Sequence, residues 1–151
     1  MARTNEDAVV LATVRLDDTR LLIVRHLPDR GTVEIGWWHK DEAGTPAQGQ
    51  VLELAAEEAE INGFAGLCRQ ALESDPAAAA EGGQLASAGP FVDGADLAAL
   101  NSGGAITLVR HPEPGNEIRM SRDELALLEG MLPGARERLT TLGYGLPQQD
   151  G

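Results

Sequence analysis

Two tryptophans stand side by side at Trp37 and Trp38. They fall in a stretch, Thr32 to Lys40, that alternates like a strand. Val33, Ile35, Trp37 and His39 occupy one face, and Thr32, Glu34, Trp38 and Lys40 the other. The alternation predicts Trp37 inside and Trp38 outside, beside a lysine. An outward indole next to a cation can stack on a nucleic-acid base, worth about 1–3 kcal/mol per base. It can equally anchor a dimer or a protein partner, or lie under loop residues. Arg15, Arg25, Arg110 and Arg119, all on segments read as strands, are the other cations such a face could present. With Trp38 and Lys40 they form the candidate binding set.

The remaining reactive side chains have quieter readings. His26 and His111 each end a strand before a proline turn, where a histidine commonly hydrogen-bonds the turn; as a pair they are also a remote metal option. His39 near Asp41 and Glu42 has the makings of a general base. Arg25 and Arg110 are placed to pair across their hairpins with Glu34 and Glu117, which competes with phosphate binding. Cys68, the single cysteine, reads as a small buried hydrophobe, and a lone cysteine excludes an intrachain disulfide or a multi-cysteine metal site. Glu57, Glu58 and Glu60 read as a solvated helix start. Gly82-Gly83 and Gly103-Gly104 are not followed by the Gly-Lys-Ser/Thr of a phosphate loop. No nucleophile-elbow, zinc-protease or dinucleotide pattern occurs. No cofactor or metal is implied, and the chain reads as a binding protein before an enzyme, with a small hydrolase or isomerase as the remote alternative.

Strands are predicted at 8–16, 20–27, 32–40 and 50–54, with a polar loop at 41–49. A helix follows over 56–73, with Ile61, Phe64, Cys68 and Ala71 facing a sheet. Gly63 and Gly66 weaken that helix by about 1 kcal/mol each, a cost close packing would explain. Residues 74–90 read as a linker, 96–100 as a helical turn, and 105–111 and 116–120 as strands. A capping box of Ser121 and Glu124 starts a last helix at Arg122, striped by Leu125, Leu128 and Leu132. Pro133-Gly134 should break or kink it, with a short helix over 135–142 and a loose tail after it.

The hairpin from Val24-Arg25-His26 to Glu34-Ile35 resembles the one from Val109-Arg110-His111 to Glu117-Ile118. Both have a proline-containing turn and a glycine, which suggests a duplicated unit. The expected fold is α+β: antiparallel sheets with two main helices on one side, in pseudo-duplicated strand–strand–helix units. One domain spans 1–151, with units at 7–73 and 91–142 joined by the linker 74–90.

Residues 31–72 carry a family resemblance: a strand ending in Trp37-Trp38, a turn with Asp41, Gly44 and Pro46, then Gly49, Val51-Leu52-Glu53-Leu54 and an acidic helix start. This resembles the PC4-like and PUR-type single-stranded nucleic-acid binders, whose unit is a curved antiparallel sheet followed by one helix. PUR-type chains pair two such units. The resemblance implies a regulatory DNA-binding protein, of the kind that acts in transcription, holding its ligand on the outer sheet face.

Charge pulls the other way. The 151 residues carry a net charge of −12, with 12 basic and 24 acidic residues. Residues 1–40 hold six of each sign, 41–100 hold one basic against eleven acidic, and 101–151 hold five against seven. Phosphate binding needs local positive charge, and the N-terminal strands could still present a locally neutral or basic face. Aromatics make up 3%, fewer than the resembled families use. The alternative is therefore an acidic protein-interaction module, a homodimer or a partner of a basic protein. The longest largely apolar run, 8–14, is too short for a membrane span, and the start shows no signal-peptide pattern. A cytoplasmic protein with no membrane partner is expected.

Overall fold

The structure is a computed structural model that describes residues 9–28, 30–40, 43, 46–74, 80–91, 93–111 and 115–141. The chain runs twice through the same sequence of elements. In the first unit β1 (Val9–Arg15), β2 (Arg20–Leu27), β3 (Thr32–Lys40) and β4 (Pro46–Ala55) precede α1 (Glu58–Glu73). In the second, β5 (Gln84–Ala88), β6 (Asp96–Ser102), β7 (Ala105–His111) and β8 (Glu117–Met120) precede α2 (Arg122–Thr141). Each set of four strands is an antiparallel meander in chain order. The class is α+β, and the layout is that of a duplicated unit.

Turn chemistry sets the first sheet. Asp17 accepts the Thr19 and Arg20 backbone N–H groups at 2.8 and 2.9 Å, an Asx turn that joins β1 to β2. Gly31, at φ +67°, closes the β2–β3 hairpin in a conformation that favours glycine. The register then sets Arg25 opposite Glu34, and the expected ion pair forms at 2.5 Å.

The helices trade partners. α1, which ends the first unit, packs on β5 and β6 of the second sheet; α2 packs on β1 of the first and also on α1. The stripe Ile61, Phe64, Leu67, Cys68 and Ala71 is buried, with Ile61 and Phe64 also meeting first-sheet residues such as Val33 and Ile35, and Leu125, Leu128, Leu132, Ala135 and Leu139 are buried as well. The inner faces, Leu22, Ile35 and Leu52 on one sheet and Leu97, Leu108 and Ile118 on the other, join both helices in one continuous core. Gly63 is explained by this exchange: a Cβ there would stand 2.9 Å from the Phe91 ring. Gly66 meets no such neighbour.

Five sequence expectations need correction. The polar loop expected over 41–49 ends earlier, because β4 begins at Pro46 and its first residues are held extended by pairing with Lys40, His39 and Trp38 of β3. The linker 74–90 contains β5, whose small residues, QLASA, carry little strand signal. Residues 96–100 are strand, not helical turn: the Ala/Leu run of β6 is held extended by β5 and β7 on either side. The α2 helix passes through Pro133 without ending, because its stripe continues in register on both sides and packing offsets the lost hydrogen bond. The Val-Arg-His likeness is out of step with the duplication, since Val24-Arg25-His26 lies in the second strand of its unit and Val109-Arg110-His111 in the third of its own. The proposed tail after 142 and the turns at 41–42, 44–45 and 112–114 lie outside the described residues.

His26 points to the core side of β2 and is fully buried. Burial disfavours the imidazolium and lowers its pKa from the ordinary 6.5. The unfolded chain therefore binds a proton that the folded chain refuses. Stability is complete above the ordinary histidine pKa and declines as pH falls below it. A urea midpoint followed from about pH 7.5 to about pH 5.5 should fall for the wild-type chain and stay nearly level for His26→Leu. The carboxylates that the fold depresses, Asp17 to about 2 and Asp93 below the usual 3.8, lose their contribution only at lower pH. A level wild-type profile would show that His26 is not acid-sensitive.

Candidate functional site

The outer face of the first sheet carries a groove of about 150 Å³ at the β1–β2 turn. Leu21, Ile23 and Trp38 form its floor, and Arg15, Arg20 and Lys40 stand on its rim. Registers across the sheet bring them together: Leu21 lies opposite both Arg15 and Trp38, and Arg20 opposite His39. Trp38 lies on the outer side of β3, as the alternation predicts, and is half-buried, lining the groove without being fully exposed; Trp37, expected inside, is half-buried as well. The Trp38 Nε1 is buried and has no hydrogen-bond partner among the described residues. The Arg25 guanidinium lies 5.2 Å from the ring centroid, a cation–π contact, while its Nη2 pairs with Glu34.

The rim is not purely basic. Asp17 belongs to it, but the turn and Arg20 occupy that carboxylate. The Thr19 backbone N–H, then its hydroxyl and then the Arg20 side chain hold its pKa down at about 2. Arg15 and Lys40, both exposed, are the rim cations for which the described residues supply no ion pair.

The six residues named from sequence do not all converge. Arg15, Arg25, Trp38 and Lys40 share the outer face of the first sheet. Arg110 does not. It faces the core side of β7, opposite Leu97, with its side chain 6% exposed, and pairs at 2.6 Å with fully buried Glu60 and at 2.7 Å with Asp93. The expected partner Glu117 sits opposite Val109 instead, one residue out of phase and thus on the other face. Arg119 lies on β8 and donates to the Ser102 hydroxyl and carbonyl oxygens, both at 3.1 Å. His26 is buried and His111 exposed, at positions that are not equivalent in the two units.

Glu60 was missed as a structural group. It is not part of a solvated helix start: only Glu57 and Glu58 are exposed. Its signal was in the spacing, since Glu60, Phe64, Leu67 and Ala71 follow one helical stripe. Its Oε2 also accepts the Ala55 backbone N–H at 3.0 Å. Sequence reasoning also missed the junction between the sheets. The Asn116 side-chain amide bridges the N–H and C=O of Glu53, at 2.8 and 2.9 Å, standing in for a neighbouring strand. A bulge in β4 at Gly49-Gln50 lies opposite Trp37, and there Gln50 accepts the Arg119 N–H at 2.9 Å while Trp37 Nε1 donates to the Arg119 carbonyl at 3.2 Å.

Cys68 is buried, and burial pushes its thiol well above the ordinary value, as suits a core residue. No helix among the described residues is long and apolar enough to cross a membrane. Compared with known proteins, the chain matches no family model and no curated sequence.

Proposed function

We propose that the chain is a non-enzymatic regulatory protein that binds single-stranded nucleic acid on the outer face of its first sheet. The observation that carries this reading is the Trp38 groove: an aromatic floor between Arg15 and Lys40, with Arg20 at its end. The duplicated four-strand-and-helix layout also agrees with the architecture that the PC4-like and PUR-type resemblance implies. The interface narrows to Arg15, Arg25, Trp38 and Lys40. Arg110 is excluded by its buried pairing, and Arg119 by its place on the other sheet. Affinity should be modest, because few cations face a chain of net charge −12.

Fluorescence anisotropy with a labelled single-stranded oligonucleotide tests this directly. Binding at low salt should weaken as salt rises, and Trp38→Ala should weaken it about tenfold or more, the loss of one stacked base. Changing Arg15 and Lys40 to glutamine together should flatten the salt dependence. No binding at micromolar protein in low salt, or equal affinity in Trp38→Ala, would overturn the reading.

A second reading has its own observation. Val10, 46% exposed, lies on β1, the terminal strand of the first sheet, and an exposed apolar side chain on the sheet that carries an apolar groove suits a protein partner. In this reading the chain is an acidic interaction module, a homodimer or the partner of a basic protein. Size-exclusion chromatography with light scattering separates the cases: a strict monomer removes the homodimer, and capture by a basic partner that fades with salt supports the heterologous form.

A further inference from the structure

A larger cavity, about 510 Å³, lies between the two sheets and draws its walls from both. The first sheet supplies Arg20, Trp37 and His39; the second unit supplies Arg119, Ser121 and Glu124. Its size falls within the range of small-molecule sites. The Trp37 indole N–H is spent on the Arg119 carbonyl, so the ring face is what it offers, with Arg20 6.0 Å from the centroid. The wall carboxylate, Glu124, is already committed: it accepts the Ser121 N–H at 2.8 Å and lies 3.3 Å from Arg20. Arg119 is held in place by neutral oxygens of Ser102; among the described residues no carboxylate lies within ion-pairing distance of it, and the nearby Glu81 is taken up by the Gly103 N–H at 2.7 Å. In so acidic a chain, a fixed guanidinium beside an aromatic ring and an imidazole matches a ligand that joins an aromatic ring to an anion.

We propose that this cleft binds a nucleoside phosphate, with its base against Trp37 and its phosphate on Arg119 beside His39. The ligand is either a free nucleotide or the phosphorylated end of a strand. The strand-end form rests on the nucleic-acid reading above, and the free-nucleotide form does not. Arg20 and His39, opposite each other on β2 and β3, line both this cleft and the Trp38 groove, so a strand leaving the groove meets the cleft next.

The experiment uses adenosine 5′-monophosphate, read by quenching of tryptophan emission, and one labelled oligothymidylate with and without a terminal phosphate, read by anisotropy. Inorganic phosphate is the control for charge alone. The mononucleotide should quench, and the terminal phosphate should tighten strand binding about tenfold, one charge-assisted contact. Arg119→Gln should abolish whichever effect is seen with only a small change in thermal midpoint, because the Arg119 backbone holds Trp37 and the guanidinium's bonds to Ser102 are exposed. His39→Ala, at an exposed position, gives an independent second variant and should weaken the same effect. Arg15→Gln should leave the mononucleotide response intact. Quenching without any strand binding supports the cleft and removes the nucleic-acid reading. Strand binding indifferent to the terminal phosphate, with no mononucleotide response at millimolar concentration, overturns the cleft and leaves the groove. An effect that survives both Arg119→Gln and His39→Ala also overturns it.

Discussion

Replacing Glu60 by glutamine is expected to lower the unfolding free energy by about 3–5 kcal/mol, more than any single change on the sheet surfaces. Glu60 has no exposed surface, and its carboxylate takes both Nε and Nη2 of Arg110, at 2.6 and 3.0 Å. Glutamine keeps the shape and can still accept the Ala55 N–H. It removes the charge, however, and leaves the guanidinium, with its side chain 6% exposed, with half-exposed Asp93 as its carboxylate partner among the described residues. A buried cation that has lost its buried counter-charge is what makes the loss large; the intact pair itself contributes far less, since both ions were desolvated to form it. The double replacement Glu60→Leu with Arg110→Met should therefore recover most of the stability that Glu60→Gln loses. Urea unfolding with unchanged denaturant dependence would measure both. A loss below about 1 kcal/mol in Glu60→Gln, or a double variant no better than the single, would show that the pair carries no such charge burden.

The pair also shows where sequence reasoning stops. The α1 stripe was legible because Ile61, Phe64, Cys68 and Ala71 repeat at helical spacing with nothing to compete. The β3 alternation was legible for the same reason, with Val33 and Ile35 buried and Trp38 on the outer side. The Arg25–Glu34 contact followed from hairpin register, a local property. A stripe states that a face is covered and leaves open by what. Nothing local in α1 says that its cover is β5 and β6, some twenty or more residues ahead, or that Glu60 will meet Arg110 fifty residues on. β5 and β6 themselves were obscured because Ala, Ser and Leu carry weak strand preference, and their extended form comes from pairing. Of the candidate site, the Trp38 face could be read and the cleft could not. The cleft depends on a β4 bulge and on side-chain amides of Gln50 and Asn116 joining two sheets, none of which has a sequence pattern.

Cutting the chain within residues 75–79 is expected to leave two fragments that fail to fold as monomers and that regain cooperative unfolding when mixed in equal amounts. Neither unit covers itself. In a lone first unit, Phe64, Leu67 and Cys68 of α1, each 0% exposed in the whole chain, would lose β5 and β6. The inner face of Leu22, Ile35 and Leu52 would lose α2. The Glu60 carboxylate would lose Arg110. A four-strand sheet whose own helix meets it mainly at β4 buries too little to stand alone. One escape is open to it: two copies can exchange helices as the two units do here, so the first fragment should appear as a homodimer when concentrated. Circular dichroism melts of each fragment and of the mixture, with light scattering for mass, give the answer. The mixture's midpoint should rise with protein concentration, whereas the intact chain's should not, because its connection holds each unit at an effective concentration in the millimolar range relative to the other. If either fragment melts as a cooperative monomer, helix exchange is a packing detail and not what makes the two units one folding body.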